Sequence, residues 1–318
     1  MNKNILVIIY ILNMPLVLHL GVCSTVVNGQ SHTIVLTKDG AVWTKGKNEY
    51  GQLGDGTKIE KSYFVKVIQS EVTSVAAGAA HTVVVKKDGS LWGAGMQIGD
   101  GKARHTRSRF TQIIAHNVKS VAAGRLHTVV LKYDGSVWTA GFNRQGQLGC
   151  GKKNIVVPGF EQVVTADVHS IAASGSHTMI LKDDGSVWAS GENKQSQLGD
   201  GTSINRNRFV KVMASGALRV SAGFAHSIIL KQDTSVWAAG SNFLRQFGPG
   251  NRTENQHFQR VFVGDVQTMV TGSSSTILLK RDGSAWATGH LETLHGGDTG
   301  AVGFKQVACK MKSSCNGS

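Results

Sequence analysis

The sequence predicts an all-β propeller of about six four-stranded blades, and three observations predict it. All six tryptophans, Trp43, Trp92, Trp138, Trp188, Trp237 and Trp286, lie 49, 46, 50, 49 and 49 residues apart, and such regularity marks an internal repeat. Each copy holds four short β-like runs separated by turn residues, which is the content of one propeller blade. The copies also fill the chain after residue 24, so no length remains for another domain.

Other positions keep step with the tryptophan. His32, His81, His127, His177 and His226 each precede it by eleven residues, and only the sixth copy differs, with Ser275 in that slot. Asp39, Asp88, Asp134, Asp184, Asp233 and Asp282 precede it by four, and a glycine follows by three. Each copy ends on Phe-x-x-Val or Ile, beginning at Phe64, Phe110, Phe160, Phe209, Phe258 and Phe304. In the third copy the four runs read as residues 110–113, 118–123, 128–132 and 136–140. The Asp-Gly between the last two predicts a two-residue hairpin turn with positive φ. A calcium loop would need several oxygen ligands at alternate positions, whereas a single aspartate stands here among apolar residues.

A histidine at one place in five copies cannot be a unique catalytic centre. Its expected role is a partly buried imidazole that satisfies polar groups and fixes the turn into the strand beginning at Thr33, Thr82, Thr128, Thr178 or Ser227. The tryptophan is expected to bury a large apolar area between blades.

Composition agrees with a turn-rich β protein built on one core: 41% hydrophobic, with 39 glycines and 3 prolines. The net charge of +14 favours anionic surroundings. Basic residues concentrate in the linkers, as in Lys102, Arg104, Arg107, Arg109, Lys152, Lys153, Arg206, Arg208 and Lys211. They read either as ordinary solvated loops or as a rim that binds an anionic surface.

Residues 1–24 read as a secretory signal peptide, apolar from Ile5 to Leu12 after Lys3, with small residues at Gly21, Cys23 and Ser24 for cleavage. Pro15 and His19 interrupt a membrane-spanning helix. The expectation is therefore one propeller domain over 25–318, secreted or in the lumen of the secretory pathway, the alternative being a membrane anchor through the N-terminal segment. Four cysteines are too few and too scattered for a disulfide scaffold or a zinc site. Cys309 and Cys315 are close enough to bridge in an oxidising compartment, and Asn251 and Asn316 open glycosylation sequons.

Function is expected where the copies disagree. Tyr50, Arg125, Arg144, Phe224, Phe243 and Arg245 occupy such variable positions and are residue types that anchor protein interfaces. They are expected at equivalent places on one rim. No nucleophile elbow, Walker loop, zinc signature or paired acid outside the repeat is present, so the sequence assigns no catalytic residue, metal, cofactor or small-molecule substrate.

The motif Gly-x-x-His-Thr-x-x-Leu-x-x-Asp-Gly-x-Val-Trp-x-x-Gly-x-Asn-x-x-Gly-Gln-Leu-Gly, carried best by residues 124–149, 29–54 and 175–199, resembles the repeat of the regulator of chromosome condensation family, RCC1. The resemblance implies a β-propeller of four-stranded blades. It also implies one of three roles: nucleotide exchange on a small Ran-type GTPase, protein binding within larger assemblies, or inhibition by a secreted propeller. Exchange factors of that family carry an inserted wedge in one blade, for which these near-equal spacings leave no room. The reading is thus a non-catalytic propeller that binds an unidentified protein partner, with a small GTPase or an anionic polymer as alternatives. Copy two is four residues short after Gly95, and the sixth copy, which has Ser275 for the histidine and loses the asparagine and Gln-Leu-Gly after His290, is expected to be the weakest seam.

Overall fold

The structure, a computed structural model, describes residues 18–19, 24–103, 105–152, 155–248, 253–290 and 303–307. Cys309, Cys315, Asn251, Asn316, Arg104, Lys153 and residues 1–17 lie outside them. Among the described residues the chain is all β, in six sheets whose strands follow one another antiparallel in chain order. Blade three shows the plan: an inner strand Val118–Ala123, then His127–Lys132, Val137–Phe142 and an outer strand Val156–Val164. Blade one is Ser24–Asn28, His32–Thr37, Val42–Gly46 and Lys61–Ile68, and a two-residue strand, Leu18–His19, pairs with its inner edge. That short strand lies within the segment read as a leader. Residues from all six copies line one central concavity, so the blades form a ring.

Two details differ from the sequence reading. Residues 110–113 belong to Thr106–Ile114, which pairs with Leu91–Met96 in blade two, so each blade's outer strand follows its tryptophan strand rather than preceding it. The Asp-Gly turn is also longer than two residues. Gly135 N donates to Lys132 O, Lys132 N donates to Ser136 O, and only Gly135 has positive φ, at 76°. This is a type I turn closed by a left-handed residue. Asp134 serves it through its carboxylate, which accepts from the amide and hydroxyl of Ser136 at 2.9 and 2.6 Å. Those bonds hold the Asp134 pKa below the usual carboxylate range.

The apolar cores lie between blades. Leu131 and Val137 of blade three pack with Ile180 of blade four, and Met179, Leu181 and Leu198 of blade four pack with Ile229, Ala239 and Phe258 of blade five. Full burial of one such leucine or isoleucine contributes about 1.5–3 kcal/mol. Phe110, Phe160, Phe209, Phe258 and Phe304 each sit on the last glycine of the long-loop motif of the blade before, at Gly54, Gly99, Gly149, Gly199 and Gly248. A Cβ added at Gly54 would lie 2.3 Å from the Phe110 ring, so the motif's last glycine is the space the next blade's phenylalanine occupies.

The tryptophans are half-buried rather than fully enclosed. Trp138 packs against the core between blades two and three, while its Nε1 donates to Ser136 Oγ at 3.0 Å. Lys132 Nζ stands 3.9 Å above its ring. Face, edge and polar tip each have a different partner, an arrangement suited to an indole at the margin of a core.

The ring is not uniform. The second strands of blades two to five are buried at five consecutive positions from the histidine, whereas His32–Thr37 alternates between buried and half-buried. Thr33 and Val35 are half-buried where Thr128 and Val130 are fully buried. Lys45 stands where the other copies place the small, fully buried Ala94, Ala140, Ser190, Ala239 and Thr288. Phe64 is 39% exposed, the most open of the repeat phenylalanines. The face of blade one that turns toward blade six is therefore covered less than its counterparts.

Candidate protein-binding face

The histidines build the scaffold beneath the loops. Each imidazole is buried, and its Nε2 reaches the next blade's hydroxyl: His32 to Thr82 at 2.8 Å, His81 to Thr128 at 3.1 Å, His127 to Thr178 at 3.0 Å and His177 to Ser227 at 2.9 Å. His226 and Thr276 make the fifth contact at 3.4 Å. The sequence reading had the imidazole partly buried and fixing its own turn; instead it ties blade to blade. Thr178 donates its single hydroxyl proton to Gln147 O at 2.7 Å, so it must accept from His127, which fixes the Nε2–H tautomer. Nδ1 is left buried without a hydrogen-bond partner. The His127 ring fills the space a Cβ at Gly124 would need. Burial pushes the pKa of His32, His127 and His226 down to about 3 and that of His81 and His177 down to about 4, so these groups are neutral and committed to structure. Among the described residues no cluster of histidine, cysteine and acidic groups could hold a metal.

On the same face as these histidines run two sets of loops. Short turns, such as 29–31, join the inner and second strands, and long loops, such as 47–60, join the third and outer strands. Main-chain bonds tie the sets together: Lys47 N to Ser31 O, Phe142 N to Leu126 O and Ser241 N to Ala225 O, at 2.8–2.9 Å. In the long loops of blades one, three, four and five a buried asparagine, Asn48, Asn143, Asn193 or Asn242, acts as the organiser. Asn193 Oδ1 accepts from Leu198 N at 2.9 Å, and its Nδ2 donates to Asp200, to Thr202 O and to Ile204 O at 2.9, 2.9 and 3.2 Å. Asn48 does the same for Leu53, Asp55, Thr57 and Ile59. Gln52, Gln147, Gln197 and Gln246 accept from the amides two residues before them, so the conserved-looking letters of the repeat hold loop shape.

The six variable residues divide on this face. Arg125 and Phe224 lie in the short turns of blades three and five, line the central concavity and are exposed. Tyr50, Arg144 and Phe243 are exposed on the long loops. They are not all equivalent, because register places Tyr50 with Gln145 and Leu244, and Arg144 with Phe243. Arg245 falls in the slot of Gly51 and Gly146, with φ of 58° against their 80° and 86°, and its carbonyl accepts from Thr288. It is half-buried and helps hold the loop.

Sequence reasoning missed Ile59, Ile155 and Ile204, each more than 60% exposed on the long loops, and the exposed Leu244. The carbonyls of Ile59 and Ile204 are pinned by Asn48 and Asn193, which leaves the side chains turned outward. An isoleucine recurring in otherwise polar loops, as Gly-Asp-Gly-Thr-x-Ile at Ile59 and Ile204 and after Gly151-Lys-Lys-Asn at Ile155, was the available signal. The basic linkers are partly neutralised: Arg107 pairs with Asp100 at 2.7 Å, Arg206 with Asp200 at 2.6 Å and Lys152 with Glu161 at 2.7 Å. Burial alone would raise the Asp200 pKa, and the bonds from Thr202, Arg206 and Asn193 outweigh it, leaving it lowered.

The model of the RCC1-like domain matches residues 11–312. The chain belongs to the RCC1-like domain family. Among solved structures, human WBSCR16 matches at 20% identity with a TM-score of 0.74, covering 88% of this chain and 80% of that one. Yeast RCC1 (Prp20), crystallised bound to Kap60, matches at 20% identity and a TM-score of 0.67 over 76% of this chain, which spans 63% of the yeast chain. The CRINKLY WD40 ectodomain of the Arabidopsis thaliana receptor kinase ACR4 matches at 14% identity and a TM-score of 0.52, covering 84% and 79%. At these identities the likeness is one of fold.

Proposed function

We propose that this RCC1-like propeller is a non-catalytic protein-binding module of the secretory lumen or extracellular space, and that it holds its partner on the loop face. The observation that carries the reading is the set of exposed apolar and arginine side chains, Tyr50, Ile59, Arg125, Ile204, Phe224 and Phe243, on loops pinned by internal bonds. Large side chains shown from rigid loops lose little entropy on binding, and tyrosine, arginine and apolar anchors dominate interface energies. The committed histidines give catalysis no support. Export is read from the apolar leader, and protein binding is supported by the yeast relative, which was crystallised bound to Kap60.

Cross-linking of the purified chain to proteins of its own compartment, with mass-spectrometric mapping, tests the reading. Cross-links should concentrate on the loops after the third strands, and joint alanine substitution of Tyr50, Ile59, Arg125, Ile204, Phe224 and Phe243 should abolish capture. Capture that survives all six changes places the interface elsewhere. Accelerated nucleotide release from a small GTPase would overturn the reading in favour of exchange. Binding that falls steeply with salt would favour an anionic polymer.

A further inference from the structure

The centre of the loop face differs from its rim. The concavity there is walled by glycine, alanine, serine, asparagine and glutamine from the six copies, with two exceptions, Arg125 and Phe224. Among the described residues Arg125 is the only charged one in the lining, and no carboxylate joins it. Both exceptions stand on fixed backbone. Arg125 N donates to Gly175 O and Arg125 O accepts from Ala79 N, each at 2.8 Å, so bonds to both neighbouring blades clamp the residue. Phe224 N donates to Ser273 O at 3.3 Å, and its carbonyl packs against Gly175, where an added Cβ would fall 2.3 Å away. The main chain is thus held while a guanidinium and a phenyl ring remain free.

We propose that this concavity is a socket for the C-terminal residue of a partner polypeptide, its terminal carboxylate taken by Arg125 and its apolar side chain packed on Phe224. The inference rests on the protein-binding reading and names the chemistry of one contact within it. A planar guanidinium with no acid beside it suits a carboxylate, which it binds through two parallel hydrogen bonds. The short turns that form the mouth lie inside a ring of longer loops, so a chain end enters along the axis, whereas an internal segment would have to double back between those loops. Small walls leave space for one side chain, and the clamped backbone lowers the ordering cost of binding.

The probe is a fluorescein-labelled peptide, Gly-Ser-Gly-Ser-Leu-Phe, with a free C-terminus, titrated with the full chain by anisotropy beside its amidated form and a form with an internal Glu-Phe. The free acid should bind at least about tenfold more tightly than either other peptide. Arg125→Gln should abolish that preference, Arg125→Lys should keep part of it, and Phe224→Ala should weaken acid and amide alike. Lys119→Gln, exposed near the start of the same blade's inner strand and away from the loop face, should change neither. Equal binding of acid and amide, or a preference that survives Arg125→Gln, overturns the socket. Internal Glu-Phe binding as tightly as the free acid overturns the chain-end assignment. If the socket fails while cross-linked partners still map to the loops, the protein-binding reading stands; if capture fails and the acid preference holds, only the rim interface is lost.

Discussion

His32 Nε2 and Thr82 Oγ1 lie 2.8 Å apart across the boundary between blades one and two, and Thr82 passes its own proton to Gln52 O at 2.7 Å. The first blade thereby holds the second at two points through one hydroxyl. The same relay recurs through His127, Thr178 and Gln147, and through His177, Ser227 and Gln197. Each link needs a neutral imidazole, because a second proton would sit on a buried Nδ1 with no acceptor.

This relay makes the fold acid-sensitive. The five histidines have native pKa values of about 3 to 4 against the ordinary 6.5, so below pH 6.5 the unfolded chain binds protons that the native chain refuses. Stability therefore falls as pH drops from 6.5 toward the native values, and below them the histidine contribution levels off. Each histidine gives a slope of about 1.4 kcal/mol per pH unit, so all five together reach on the order of 6 kcal/mol per unit near pH 5. Tryptophan fluorescence and circular dichroism should show one cooperative acid transition taking up several protons. Uptake of one proton or fewer would refute the neutral relay.

Equivalent phenylalanines should differ in worth. Phe110 packs on Gly54 of the preceding blade and joins the core between blades one and two, whereas Phe64 is 39% exposed under Lys45. Phe110→Ala should cost about 2–4 kcal/mol, and Phe64→Ala less than about 1 kcal/mol. Denaturant midpoints compare them, and equal losses would mean that blade one is packed as closely as the rest.

How far the sequence could be read follows from which interactions repeat. The tryptophan spacing, histidine slot and Gln-Leu-Gly ending were legible because each is the same local contact made again, and they place the strands and loops. The assignment of residues 110–113 to the wrong blade came from periodicity itself, which fixes the repeat length and leaves open where one unit begins. Half-burial of the tryptophan depends on a lysine and a serine that meet it only after folding. Arg125 and Phe224 stood out as variable, but their convergence on one concavity is a property of the ring. Arg245 misled, since its chemistry suits an interface while its place in the loop requires positive φ.

Thr234 occupies the glycine slot of its hairpin with φ of 66°, where Gly135 has 76°. A β-branched residue is strained there. Thr234→Gly should raise stability by about 0.5–1.5 kcal/mol, relief of strain outweighing the added chain entropy of glycine. Gly135→Thr should lower it by about 1–2 kcal/mol, because the new Cβ would also press on Asp167 N at 2.9 Å. Chemical denaturation measures both, and a loss of stability in Thr234→Gly would show that the threonine makes contacts that offset its backbone.

Adjacent residues on one loop separate scaffold from surface most directly. Asn143 is buried, its Oδ1 accepting from Leu148 N at 3.1 Å and its Nδ2 donating to Lys152 O at 3.2 Å, whereas Arg144 beside it is exposed. Asn143→Ala would leave an amide and a carbonyl without these partners and loosen Leu148 from its fully buried place, a loss of about 2–4 kcal/mol. Arg144→Ala should stay within about 0.5 kcal/mol of the parent. Thermal melts of the two variants decide the matter. A stable Asn143→Ala chain would mean that the loop keeps its shape without its organiser, and a destabilised Arg144→Ala chain would mean that the arginine belongs to the scaffold and not to the binding face.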